Sequence, residues 1–145
     1  PLVTVAEVRL RYSLMAIFNG TEDPVNPFAG GLVSILGNSS RGEVLSSQAT
    51  ARYWARLAGH DGEPVIEDLP DRDPGDGTRV RVERWQAAGH PEIAHYMIEG
   101  GGHTLPSRGM RPPLATSILT GRTSRDIDGA QEAWAFFKRQ WQPRP

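Results

Sequence analysis

The sequence predicts an α/β fold, and an incomplete one. Three observations carry that expectation. The elements read in the order strand, helix, strand, strand, helix. The first strand is apolar on both faces, the pattern of a strand buried between helices, as in parallel sheets. That strand starts at Ser13, with only twelve residues before it to supply neighbours. Such a strand needs others beside it and helices above and below, and this chain offers few.

The first element is Ser13–Phe18, SLMAIF, which should stop at the Asn19-Gly20 turn signal. A loop rich in Pro24, Pro27, Gly30 and Gly31 follows. Ser46 and Ser47 can cap a helix running to about Ala58, with Ala51, Trp54, Ala55 and Ala58 on one face and Gly59 just past its end. The stretch from Glu63 to Thr78 holds Pro64, Pro70, Pro74, Gly75 and Gly77 and reads as turns. Arg79–Trp85 alternates polar and apolar, a strand with one solvated face, and Ile93–Ile98 is a further strand ended by Gly100-Gly101-Gly102. After a long loop, Asp128 and Gln131 resemble a capping box, and Ile127, Ala130, Trp134, Phe137 and Trp141 form the expected apolar face of a closing helix that Pro143 ends.

Composition narrows the function classes. The chain has 145 residues, 38% of them hydrophobic, with four Trp, four Phe and three Tyr, enough for a packed core. Sixteen basic residues are scattered among seventeen acidic ones, which argues against a nucleic-acid surface. No apolar run approaches the roughly 18 residues of a membrane span. With no cysteine, disulfide and thiolate chemistry are excluded within the chain. The first residue is Pro1 rather than Met, so a processed start or a missing upstream segment is expected.

Asp23 follows the first strand, and His103 follows the strand Ile93–Ile98. In open α/β sheets catalysis gathers at the carboxyl ends of strands. An Asp and a His placed there, although 80 positions apart, can meet in space. The carboxylate would fix the imidazole tautomer and stabilise the imidazolium formed in proton transfer. Taken singly, an Asp before Pro is commonly a turn residue and a His in a glycine-rich loop is commonly inert. Together, acid first and His second, they match the order Ser…Asp/Glu…His of the α/β hydrolases. The pair should then lie at hydrogen-bond distance, about 2.6–3.2 Å.

The remaining candidates are weaker. Asp71, Asp73 and Asp76 before Gly77 resemble a calcium loop, but prolines interrupt it and the twelfth position is Val82 instead of Glu; a solvated turn is the better reading, and no metal is expected. His60 and His90 read as surface residues, and His95, in mid-strand, as a packed histidine. Ser39 and Ser40 are poor nucleophile candidates. Trp54 and Trp134 read as core-facing.

Four segments resemble the polyhydroxybutyrate depolymerase and feruloyl esterase group of α/β hydrolases. They are Asn19–Gly31 (NGTEDPVNPFAGG), Leu69–Thr78 (LPDRDPGDGT), Ile98–Pro106 (IEGGGHTLP) and Thr123–Asp128 (TSRDID). The matches occur in the right order and cover most of Ser13–Trp141. The resemblance implies an α/β-hydrolase fold with a mainly parallel sheet. Residues 1–145 would be the C-terminal portion of one catalytic domain whose N-terminal half is absent. It implies Asp23 as triad acid, His103 as triad base, and cofactor-free hydrolysis of short polyesters or esterified plant phenolics. Pro27, Phe28 and Leu105 would contribute to the substrate wall. A secreted or periplasmic location fits the family, any signal peptide lying upstream of Pro1.

Two departures stand out. Position 105 is Leu where relatives commonly carry Trp. No Gly-x-Ser-x-Gly elbow occurs; the nearest run, Gly37-Asn38-Ser39-Ser40-Arg41, ends in Arg and follows the acid. The nucleophile and oxyanion hole would lie upstream of Pro1, and the missing half would be this chain's partner. Two alternatives stay open: a peptidase or thioesterase on the same fold, and a non-catalytic truncated fragment.

Overall fold

The computed structural model describes residues 14–35, 37–38 and 41–140. Among the described residues, six strands and three helices follow one another as β1 (Met15–Gly20), β2 (Gly31–Leu32), β3 (Glu43–Val44), α1 (Ser47–Leu57), β4 (Val65–Asp68), β5 (Arg79–Trp85), β6 (Ile93–Glu99), α2 (Leu114–Thr120) and α3 (Gly129–Gln140). The main sheet has the order β1-β6-β5-β4, and β2 and β3 form a separate antiparallel pair.

The chain is a small mixed α/β domain, and its main sheet corrects the expectation of mainly parallel strands. Only β1 and β6 run parallel; β4–β5 and β5–β6 are antiparallel. The physical reason is connection length. A parallel crossover needs about a dozen residues or more, whereas residues 69–78 and 86–92 only suffice to turn the chain back.

β6 is the centre. It is buried on both faces along nearly its whole length. On one face α1 seats Ala51, Ala55 and Ala58 against Trp85 and Ile93, with Met15, Ile17 and Trp54 at the margin. On the other, Ile127 and Phe136 cover Val80, Val82, Ala94, Tyr96 and Ile98, with Phe18 packed beside them. Phe18 stacks on Tyr96 with ring centroids 4.4 Å apart. β1 is an edge strand among the described residues, although its side chains are apolar on both faces and are only half buried.

Several local expectations hold. Ser46 caps α1 by accepting the Ala49 N–H at 3.1 Å, and Gly59 follows at φ 88°. Asp128 caps α3 by accepting the Gln131 N–H at 3.1 Å. Others need correction. β1 does not stop before Asn19-Gly20: Asn19 pairs with Met97 and Gly20 with Ile98, so the strand continues through the turn signal. Ser13, Ser39, Ser40, Trp141 and Pro143 lie outside the described residues. The stretch 63–78 contains β4, and the long loop contains α2.

The expected face of α3 is also corrected. Phe136 is fully buried, whereas Ala130 is exposed and Trp134 and Phe137 are 64% and 49% exposed. Polar hooks set this rotation. Tyr96 Oη donates to Glu132 Oε2 at 3.2 Å, and Gln140 Nε2 donates to Glu92 Oε2 at 2.7 Å. Glu92 is a buried carboxylate that also meets the Arg84 and Arg139 guanidinium groups at 3.4 and 3.0 Å.

His60 is buried rather than on the surface. Its Nε2 donates to the Pro91 carbonyl at 2.8 Å, and its ring faces that of exposed His90 at 5.5 Å. His95 is packed as expected: fully buried, with Nδ1 3.2 Å from Glu83 Oε2 and Phe28 stacked against it. Its Nε2 is buried with no partner among the described residues. Burial pushes the His95 pKa below the ordinary value, against the opposing pull of Glu83.

Since the unfolded chain takes up the His95 proton first, the native state loses stability as pH falls below about 6.5 towards the lowered native value. Urea midpoints measured from pH 7.5 down to pH 5 should therefore fall more steeply for the parent than for His95→Gln, which cannot titrate. Parallel profiles would contradict neutral burial of His95.

Candidate active site

The parallel register carries β1 and β6 to the same edge of the sheet, and each ends in a loop there. Thr21 donates its N–H to the Ile98 carbonyl at 3.0 Å, while its hydroxyl accepts the Gly100 N–H at 2.9 Å. The Glu22 N–H donates to the Gly101 carbonyl at 2.9 Å. The acid loop and the His loop are thus stitched together before either functional side chain is reached.

Asp23 and His103 meet. Asp23 Oδ2 lies 2.8 Å from His103 Nδ1, within the range expected from sequence. An ionised carboxylate only accepts, so Nδ1 carries the proton and Nε2 is the nitrogen that remains for proton transfer. The other carboxylate oxygen, Oδ1, accepts the Val25 and Asn26 N–H groups, each at 2.8 Å. Those two bonds fix the carboxylate plane, so the acid is oriented independently of its partner. Burial differs sharply across the pair: the Asp23 side chain is 6% exposed and that of His103 is 53%. The carboxylate is walled in; the imidazole faces outwards.

Glycines allow this closeness. A Cβ on Gly20 would overlap the Gly101 and Gly102 carbonyl oxygens, and one on Gly102 would overlap the Thr120 carbonyl. The segment after α2 therefore packs directly on the His loop, where the Gly102 N–H donates to the Arg122 carbonyl at 2.9 Å.

A cavity of about 270 Å³ opens beside the pair, walled by Phe18, Asn19, Asn26, Thr104 and Leu105. Leu105 is half exposed on this wall. Pro27 and Phe28 do not line the cavity. The Phe28 ring is engaged with His95, its carbonyl accepts the Ser47 N–H at 2.9 Å, and the Pro27 carbonyl accepts the Gly30 N–H at 2.9 Å. Sequence reasoning missed Phe18, Asn19 and Asn26. Asn19 carries a visible signal, as a polar residue at the carboxyl end of an apolar strand, and its Oδ1 is buried with no partner among the described residues.

The aspartates before Gly77 serve another purpose. Asp73 takes the Arg125 guanidinium at 2.6 Å, which holds its carboxyl below the ordinary value. Asp76 accepts the Thr78 and Arg125 N–H groups at 2.8 and 2.7 Å, and Asp71 pairs with Arg79. Buried Asp126 accepts the Arg72 N–H at 2.7 Å. This loop is a clasp onto residues 125–126, and no cluster of three potential metal ligands occurs among the described residues.

Compared with known proteins, the chain matches no family model, no curated protein and no solved structure.

Gly102→Ala tests the packing that brings the loops together. The new methyl would force the 120–122 segment off the His loop, at a cost of about 1–3 kcal/mol. Urea denaturation should register that loss, and an unchanged midpoint would show that the two segments are not in tight contact.

Proposed function

We propose that this chain supplies the acid, Asp23, and the base, His103, of a serine esterase of the polyhydroxybutyrate depolymerase and feruloyl esterase type. It would be the C-terminal portion of an α/β-hydrolase catalytic domain. The observation that carries the reading is the 2.8 Å contact between His103 Nδ1 and a nearly buried carboxylate whose second oxygen is saturated by two backbone N–H groups. A solvent-facing histidine with no chemical task needs no such partner. A general base does, because the carboxylate selects the tautomer and stabilises the imidazolium. The glycine-rich loop and the adjoining cavity supply access for a substrate.

The nucleophile in this reading comes from a segment other than the 145 residues, since the elbow sequence is lacking. Its serine Oγ attacks the ester carbonyl carbon while His103 Nε2 takes the hydroxyl proton. The tetrahedral intermediate collapses, the C–O bond to the alcohol breaks, and Nε2–H protonates the departing oxygen. Water then repeats the sequence on the acyl-enzyme and frees the acid. Two observations favour a partner segment. β1 is apolar on both faces yet has one unpaired edge among the described residues, a poor arrangement for a lone domain. Trp134 and Phe137 are also left largely uncovered on α3.

Short polyesters or esterified phenolics are the substrates this reading assigns. The test uses the whole encoded protein and p-nitrophenyl esters. His103→Ala should lower turnover by several orders of magnitude, and Asp23→Asn by somewhat less, with KM changed little. The 145-residue chain alone should show no turnover above its own His103→Ala control. If both variants kept more than about a tenth of the parent rate, the triad assignment would fail.

A further inference from the structure

The Asp23–His103 contact depends on two loops keeping their separation, and a residue outside both touches each of them. Arg122 follows α2 and runs beside the His loop. Its carbonyl accepts the Gly102 N–H at 2.9 Å and the Thr104 hydroxyl at 3.1 Å, so it brackets His103 on both sides. The His103 N–H itself donates to the Thr120 carbonyl.

The Arg122 side chain reaches towards the acid loop. Its Nη1 donates to Glu22 Oε2 at 2.7 Å and lies 3.4 Å from the Gly100 carbonyl. Glu22 immediately precedes Asp23. Two glycines wall the guanidinium: a Cβ on Gly77 would lie 3.5 Å from Arg122 Nε, and one on Gly100 would lie 3.8 Å from Nη1. The head group is therefore lodged against main chain instead of swinging free. Both contacts run through the single Nη1, whose two N–H groups can serve a carboxylate and a carbonyl at once.

We propose that Arg122 is a positioning residue for the proton-transfer pair. Its main chain grips the His loop and its side chain grips the residue next to the acid, and together they hold His103 Nδ1 within bonding distance of Asp23. Arg122 touches neither of the two reacting side chains. The catalytic consequence rests on the esterase reading; the tie between the loops does not. Both members of the Arg122–Glu22 pair are more than half exposed, so its loss should hardly change global stability. That separates positioning from folding.

The readout is solvent exchange of the His103 ring N–H, followed by NMR on the whole encoded protein, with the urea midpoint as control. Arg122→Met and Glu22→Ala should each speed exchange with midpoints unchanged, and Arg122→Lys should restore most of the protection. In turnover, Arg122→Met should lower kcat roughly tenfold and leave KM nearly unchanged, as expected when alignment and not binding is lost. Parent-like exchange in Arg122→Met, with protection lost in Asp23→Asn, would overturn the positioning role and leave the pair standing. Protection retained in Asp23→Asn would overturn the pair itself and the positioning role with it.

Discussion

Six backbone pairs, from Met15↔Ile93 to Gly20↔Ile98, hold β1 and β6 parallel and in step. This register decides where the chemistry can occur. Two parallel neighbours end on the same edge of a sheet, so the loops that leave them start side by side. The bonds from Thr21 and Glu22 to residues 98–101 extend the pairing beyond the strands. A slip of one residue would turn the β1 side chains to the opposite faces and carry Asp23 away from His103. The candidate site is thus a consequence of strand pairing more than of any single side chain.

The register is protected in turn by the core. β6 is buried on both sides, with small alanines of α1 on one face and Phe136 on the other. Alanines of α1 pack on Trp85 and Ile93, while Phe136 and Tyr96 fill the core on the α3 side. The Glu92 cluster adds direction to this packing. A buried carboxylate met by two guanidinium groups and an amide leaves α3 little freedom to rotate, because losing one partner strands a charge in the interior. Arg122 and Glu22 act on a smaller scale, at the surface, where they constrain two loops and contribute little to the fold as a whole.

Much of this was legible in the sequence, for reasons that differ by element. Helix α1 announced itself through Ser46 and Gly59, and β5 through strict alternation. That Asp23 and His103 would meet was legible because each follows an apolar strand, and the two strands end at one edge of the sheet. β4 and α2 left no mark: every residue of β4 is exposed and α2 buries none, so neither has the periodicity that burial imposes. The phase of α3 could not be read because Trp134, Phe136 and Phe137 are apolar on more than one face. The choice between them is made by Glu132 and Gln140, through partners more than 30 positions away. Phe28 was placed on the substrate wall by the family resemblance; its ring stacks on His95, in mid-strand, instead. The antiparallel direction of β5 against β6 was readable from the short connection 86–92, had it outweighed the parallel character of β1.

The central claim is that Asp23 selects the proton-accepting face of His103. The most direct measurement is the tautomer of the His103 imidazole near neutral pH, read from nitrogen chemical shifts and ring couplings in a 15N-labelled sample. A proton on Nδ1 and a bare Nε2 are predicted, because the carboxylate 2.8 Å from Nδ1 can only accept. A neutral ring carrying its proton on Nε2 would contradict the account, since Nδ1 would then have nothing to donate and Nε2 could not receive a proton from a nucleophile.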